Sequence, residues 1–261
     1  MKVSTEKLTR PMSDGERNIK LIVSYDGSSY CGWQRQKNHN SVQGEIEAAL
    51  EKIHGHPVPL AGSGRTDSGV HAAGQVANFY SSIKRSMDPR RFRPALNSLL
   101  PHSIRILEAE EAPLRFHARF DAKSRIYRYF FIPPREAAPQ EKQFALTLKK
   151  QPDISLLNAY ARLFRGEFDC TVFAVPRDLS RSRNRYIYNA YFFMEGAKLV
   201  FEIRANAFLW KMVRSVAGTM IFYEARNVQP EEFRRVINSG KRELAGPTLP
   251  PDGLFLWRIE Y

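Results

Sequence analysis

Asp67 lies in the stretch Gly62-Ser-Gly-Arg-Thr-Asp-Ser-Gly-Val-His-Ala-Ala-Gly74, with a guanidinium two residues before it (Arg65) and an imidazole four after it (His71). A short carboxylate held beside a cation is nucleophilic when ionised and a good leaving group afterwards. Four glycines in these thirteen residues permit positive φ and close approach of backbone. The flanks, Val58–Leu60 and Gln75–Tyr80, read as strands. Three ionisable side chains therefore hang on a loop between strands, where a rigid scaffold presents chemistry. The same residues also suit a long polar hairpin loop with no reaction to perform.

Three familiar patterns come close and fail. Gly64 and Gly69 have the spacing of a phosphate-binding loop, but Val70-His71 stands where Lys-Ser/Thr is required. Gly62-Ser63-Gly64 lacks the spacing of a nucleophile elbow. Asp67-Ser-Gly69 matches the triplet of aspartic proteases, in which two carboxylates share a proton. The chain holds no second such triplet, so that reading needs a dimer that pairs two copies of the loop. A metal centre is not specified: six histidines and two cysteines are scattered, and His54-Gly-His56-Pro57 reads as a turn.

Bulk properties narrow the partner. The 261 residues are 43% hydrophobic, enough for one large domain or two small ones with real cores. Forty Lys and Arg stand against 27 acids, a net charge of +13, which favours a polyanionic partner, nucleic acid or an anionic membrane surface. No apolar run has the length of a membrane span, and Met1–Arg17 lacks the apolar centre of a secretory signal. Cys31 and Cys170 form no framework, so a reducing cytoplasm is the expected compartment.

The elements that must position the loop follow from periodicity. Residues 1 to 17 read as a flexible tail and Asn18–Tyr25 as a strand buried on both faces. Ser41 caps a helix running to about His54, with Val42, Ile46, Ala49, Leu50 and Ile53 at helical spacing. A second helix runs from Asp88-Pro89 to Leu100, and Ser103–Leu107 forms a strand closed by acidic Glu108–Glu111. The pattern then restarts: a strand over Ser124–Ile132, a helix from Asp153, and a loop from Arg177 to Arg185 holding four arginines. A hairpin over Tyr186–Met194 and Leu199–Arg204 follows, then helices over Phe208–Tyr223 and after Pro230, and a last strand over Leu254–Tyr261. Two successive strand, helix, strand groupings suggest two similar α/β halves, 18–112 and 113–261.

Gly64-Arg-Thr-Asp-Ser-Gly-Val-His-Ala72 resembles the active-site motif of the tRNA pseudouridine synthase A (TruA) family. Further motifs match in the family's order: Tyr25-Asp-Gly27, Gly32-Trp-Gln34, Ser41-Val-Gln43, Phe116-His-Ala-Arg-Phe120, Tyr127-Arg-Tyr129, and Ala205-Asn-Ala-Phe208 with Met212-Val-Arg214. They cover roughly residues 18 to 261. The resemblance implies a pseudouridine synthase fold: two similar α/β halves, a continuous mixed sheet and a central active-site cleft. It implies an isomerase that needs no cofactor, with Asp67 as the catalytic carboxylate, Arg214 as the basic partner that keeps it ionised across the cleft, and Tyr127 as the ring against a flipped uridine. Arg65 would fill the space left by the base or hold an adjacent phosphate, and Thr66 would position the ribose or the aspartate. His71 is either loop scaffold or RNA contact. Lys84, Arg85, Arg90, Arg181, Arg183 and Lys211, with their basic neighbours, would track the RNA backbone. The implied substrate is the anticodon stem-loop of tRNA at positions 38 to 40, gripped by a homodimer. The chain departs from common bacterial members at Leu209-Trp-Lys211, where histidines often precede Met-Val-Arg. The alternative is a tRNA-binding or chaperone module that keeps the fold without the reaction.

Overall fold

The computed structural model describes residues 15–83, 87–134, 137–176, 178 and 180–261. The expected tail falls largely outside them, as do Lys84, Arg85 and Arg177. The chain divides into two compact units, residues 1–122 with Tyr261, and residues 123–260.

In the first unit β1 (Arg17–Tyr25) opens with Arg17 almost fully buried, inside the stretch read as tail. Ile19, Leu21, Val23 and Tyr25 point to the core, while Lys20, Ile22 and Ser24 are only half-buried. The second face is therefore not buried like the first: Lys20 pairs with Glu110 at 2.8 Å and lies over the rings of Phe116 and Tyr261. α1 (Val42–His54) begins where Ser41 Oγ accepts the Gly44 N–H and stops at Gly55, whose φ of 73° suits a left-handed cap. β2 (Ala61–Gly62) is a short rung on β3 (His71–Ser81). β3 starts four residues before the expected strand, so His71 belongs to the strand and not to the loop. The expected second helix is two pieces: a 3-10 turn, Pro89–Arg91, capped by Asp88, then α2 (Phe92–Leu99). β4 (Ile104–Ala112) runs through the acidic stretch that was read as its end. Ile104, Ile106, Ala109 and Ala112 face inward, and exposed Glu108, Glu110 and Glu111 charge an edge strand against further pairing. The sheet of this unit runs β4-β1-β3, all antiparallel, with β2 beside β3.

The second unit contains β5 (Ser124–Ile132), α3 (Pro139–Lys142), β6 (Leu146–Thr147), α4 (Ile154–Ala161), β7 (Gly166–Asp169), β8 (Asn184–Glu195), β9 (Lys198–Ala205), α5 (Met212–Glu224), α6 (Pro230–Asn238) and β10 (Leu254–Glu260). Its sheet runs β10-β5-β9-β8-β7, antiparallel, with β6 parallel to β5. The helical side is knitted by aromatic contacts, among them Tyr160 stacked on Phe233 at 4.1 Å. The other side packs Phe130, Ile132 and Val200 against Ala145 and Trp257. α5 starts four residues later than periodicity predicts, because Lys211 has φ 60° and cannot extend a right-handed helix back to Phe208. Mixed α/β units with these sheets agree with the expected fold class. No helix among the described residues is long and apolar enough to cross a membrane.

Candidate active site

The first unit presents Asp67 on a loop fixed along most of its length. Trp33 N–H donates to Thr66 C=O at 3.2 Å, and Ser68 Oγ and Gly69 N–H both donate to Tyr30 C=O, at 3.2 and 3.3 Å. Val70 N–H returns to Asp67 C=O at 3.2 Å, a tight turn that holds the aspartate backbone. Upstream, Gln75 Nε2 donates to Gly64 C=O at 2.8 Å from a fully buried position. Thr66 is buried, and its hydroxyl shares a 2.8 Å hydrogen bond with Tyr25 Oη. Asp67 itself is half-buried and Arg65 is exposed.

Close backbone packing sets the position of this loop. Gly32 has φ 93°, and a methyl there would stand 2.3 Å from Thr66 C=O. At Gly62 the same atom would overlap the indole of buried Trp33 at 2.3 Å. The Gly32-Trp-Gln34 segment is tied back in turn. Gln34 Nε2 and Arg35 N–H donate to Gln43 Oε1, at 2.7 and 3.0 Å, and Gln43 Nε2 donates to Leu60 C=O at 2.9 Å.

His71 is fully buried. Its Nδ1 lies 3.1 Å from Gly27 N and 3.2 Å from Asp26 Oδ1. The Gly27 amide can only donate, so Nδ1 is the atom that receives it, and the Asp26 carboxylate lies against the same ring edge. Beside the loop, Arg65 and Arg119 gather positive charge. Desolvation, then the neighbouring Arg119 guanidinium, lowers the Arg65 pKa from its ordinary value, though a guanidinium remains charged at neutral pH. Arg119 belongs to the Phe116–Phe120 stretch, held by two asparagines inside strands. Asn18 Nδ2 donates to Phe116 C=O at 2.7 Å, and Asn78 Oδ1 accepts Ala118 N–H at 2.9 Å. The two join through Asn78 Nδ2 and Asn18 Oδ1 at 2.9 Å.

The second unit carries the other candidates. Tyr127, half-buried on β5, meets Phe208 edge to face at 5.0 Å. Tyr129, two residues on, is fully buried and donates its hydroxyl to Pro250 C=O. Burial holds the Tyr129 pKa well above its usual value, with Arg214 opposing and Asp252 adding to that effect. Arg214, half-buried in the first turn of α5, donates Nε to Leu249 C=O at 2.7 Å, and its own carbonyl accepts Leu249 N–H at 3.3 Å. Arg181 is exposed, Arg183 half-buried, and Lys211 lies with Nζ 4.8 Å from the Trp210 ring centre. In the first unit Arg90 is exposed, 3.8 Å from Asp88. Lys84 and Arg85 lie outside the described residues. Among the described residues no group of three or more His, Cys, Asp or Glu is arranged to hold a metal ion.

The residues that position the loop, Trp33, Gln43 and Gln75, and those that hold the Phe116–Phe120 stretch, Asn18 and Asn78, carry no mark of that task in the sequence. The available signal was a polar side chain inside an otherwise apolar strand or helix face, which must find a partner when buried.

A family model described as tRNA pseudouridine synthase matches residues 21–121 and 160–261. The chain belongs to the tRNA pseudouridine synthase family. It is 49% identical over 255 residues to a tRNA pseudouridine synthase A of Treponema denticola, covering 96% of this chain and 95% of the relative. The Treponema pallidum (strain Nichols) protein of that name is 48% identical over 236 residues, 88% of this chain and 84% of its own. That of Caldicellulosiruptor bescii is 40% identical over 245 residues, 94% of this chain and 100% of the relative. Family membership makes the chain an RNA-modifying isomerase, one that converts uridine to pseudouridine in tRNA. The protease reading of Asp67-Ser-Gly69 is thereby set aside.

Proposed function

We propose that this isomerase acts on the anticodon stem-loop of tRNA, at positions 38 to 40, with Asp67 as its catalytic carboxylate. The observation that carries the reading is the placement of Asp67, half-buried on a loop whose backbone is clamped by Tyr30, Trp33 and its own turn to Val70. A nucleophile held so firmly loses little on meeting its target. The N1–C1′ bond breaks and the C1′–C5 bond forms; the proton on C5 is released and N1 regains one. The step is balanced without oxidant, reductant or energy source. Asp67 stabilises or traps the detached species, and Arg214 is the cation that keeps its carboxylate ionised. Tyr127 stacks on the flipped base.

Arg65, with Arg119 beside it, takes the phosphate next to the target or the space left by the base. Thr66 fixes the aspartate through its bond to Tyr25. His71, fully buried, acts by holding the Asp26-Gly27 turn rather than by touching RNA. Arg90, Arg181, Arg183 and Lys211, with Lys84 and Arg85, hold the RNA backbone, in a cytoplasmic homodimer that grips one tRNA.

Tritium release from tRNA labelled at uridine C5 tests the reading, since that label is lost only when C5 takes the glycosidic bond. Wild type is expected to release it, Asp67→Asn to release none, and Tyr127→Ala to lose more than Tyr127→Phe. No release by wild type, with salt-sensitive tRNA binding intact, would favour the non-catalytic binding module. Release by Asp67→Asn would remove the catalytic role, and full activity in both tyrosine variants would remove the stacking one.

A further inference from the structure

Trp210 stands between β9 and α5, four residues before Arg214. Its side chain is 42% exposed, a large apolar surface to leave in water. The backbone that carries the ring is nonetheless anchored. Leu209 and Met212 on either side are only 4% and 1% exposed, and Met212 N–H closes the turn onto Leu209 C=O at 3.1 Å. Lys211 between them is locked at φ 60°, with its ammonium 4.8 Å from the indole centre. Trp210 N–H donates to Asp178 Oδ2 at 2.7 Å, and Asp178 Oδ1 accepts Ser180 N–H at 2.8 Å. Burial pushes the Asp178 carboxyl up, but its hydrogen bonds from Trp210 and Ser180, with Arg185 nearby, outweigh that and bring it below the usual carboxylate range. One ionised carboxylate thus ties the backbone amide of Trp210 to the segment that bears exposed Arg181 and half-buried Arg183.

A solvent-facing indole on a fixed backbone, with cations beside it, is what single-stranded RNA binding requires: a π-face for a base and positive charge for its phosphates. Resting on the reading that the substrate is tRNA, we propose that Trp210 is a stacking platform for an unpaired nucleotide of the tRNA, distinct from the uridine assigned to Tyr127. Lys211 and Arg181 neutralise the phosphates that flank this nucleotide. The platform supplies binding and register without touching the reacting atoms.

The test compares wild type, Trp210→Phe and Trp210→Ala with an unmodified tRNA transcript, at two salt concentrations. Trp210→Ala is expected to weaken binding about tenfold or more, with kcat preserved at saturating tRNA, while Trp210→Phe stays within about threefold because its ring still stacks. The salt slope should be unchanged in both, since no phosphate contact is lost. RNA should quench indole emission in wild type and not in Trp210→Phe, although Trp33 and Trp257 remain. Wild-type affinity in Trp210→Ala, a shallower salt slope, or quenching that survives in Trp210→Phe would each overturn the proposal. If Trp210→Ala does not fold, the quenching comparison with Trp210→Phe decides. Quenching without any tritium release by wild type would sink the tRNA-modification reading and keep the platform; release with unaltered binding by Trp210→Ala would do the reverse.

Discussion

Replacing Gly32 by alanine should inactivate the enzyme more than it unfolds it. At φ 93° an alanine is strained, and its Cβ would stand 2.3 Å from Thr66 C=O, 3.0 Å from Asp67 C and 3.2 Å from Asp67 O. Left-handed backbone costs roughly 1–2 kcal/mol at a non-glycine residue. Forcing a methyl into packed backbone costs about 1–3 kcal/mol more. The total, about 2–5 kcal/mol, reaches at most the low end of the ~5–15 kcal/mol that typically holds a domain, so the variant is expected to fold. To bring the closest contact to a tolerable separation the loop must open by about 0.7 Å, and the atoms that move are those of Thr66 and Asp67. A displacement of about 1 Å at a reacting group can cost on the order of a hundredfold in rate. Urea unfolding and single-turnover tritium release would be measured on the same preparations. The expected result is a lowered but cooperative unfolding midpoint with the rate down by about a hundredfold. Turnover within threefold of wild type would refute the claim that Gly32 sets the position of Asp67. Gly64→Ala is the comparison: no atom lies within 4 Å of its added methyl and its φ is ordinary, so stability should hold or rise by about 0.4–1 kcal/mol.

Two further outcomes follow from buried groups. Cys31 is exposed and Cys170 fully buried, its thiol pushed up to about 12 by burial, so a colourimetric thiol reagent should titrate one cysteine in the native protein and the second only in denaturant. Prompt reaction of both in buffer would contradict the burial. His54 has its pKa lowered by burial, with the Leu50 carbonyl opposing and His56 adding, so the unfolded chain binds a proton that the folded one refuses. The His54 contribution to stability should be flat above about pH 6.5, the unfolded value, and fall as pH drops towards the folded one. His117 is lowered too, first by burial, so His54→Gln should lessen this acid loss without abolishing it. Urea midpoints at pH 8 and 5.5 decide, and an equal pH dependence in both proteins would refute it.

Elements governed by a single period were legible in the sequence. β5 runs from Ser124 to Ile132 as read, and α1 begins at its Ser41 cap and ends at His54, because a strong local signal and the tertiary demand agree there. The failures share a cause: a feature that acts beyond the local window. Glu108–Glu111 has the composition of a loop, yet pairing with β1 draws it into β4, since an edge strand can turn its charges to water. Helical periodicity reaches back to Phe208, but the left-handed conformation of Lys211 stops α5 at Met212. The packing of β3 against β1 lengthens β3 to His71, taking that residue out of the loop to which its neighbours assign it.

The residue types of the candidate site stand out in the sequence, while the contacts that position them do not. Asp67, Arg65 and Thr66 announce themselves by residue type beside glycines, because a reactive group must be polar and its turn needs freedom. The side chains that aim them have no such mark. Gln75 lies in a strand and Gln43 in a helix, and neither sequence window says that one fixes Gly64 and the other braces the Trp33 segment. Asn18 and Asn78 are separated by sixty residues and meet only through the register of β1 and β3. Long-range hydrogen bonds of this kind are invisible to local patterns, but a buried amide inside a strand is a warning in itself. Its desolvation is offset only by partners, and here the partners are the backbone of the stretch that carries Arg119. The glycines act in the same way: Gly32 turns the backbone at φ 93°, and Gly32 and Gly62, by lacking a side chain, admit Thr66 and Trp33 to the places that set the loop.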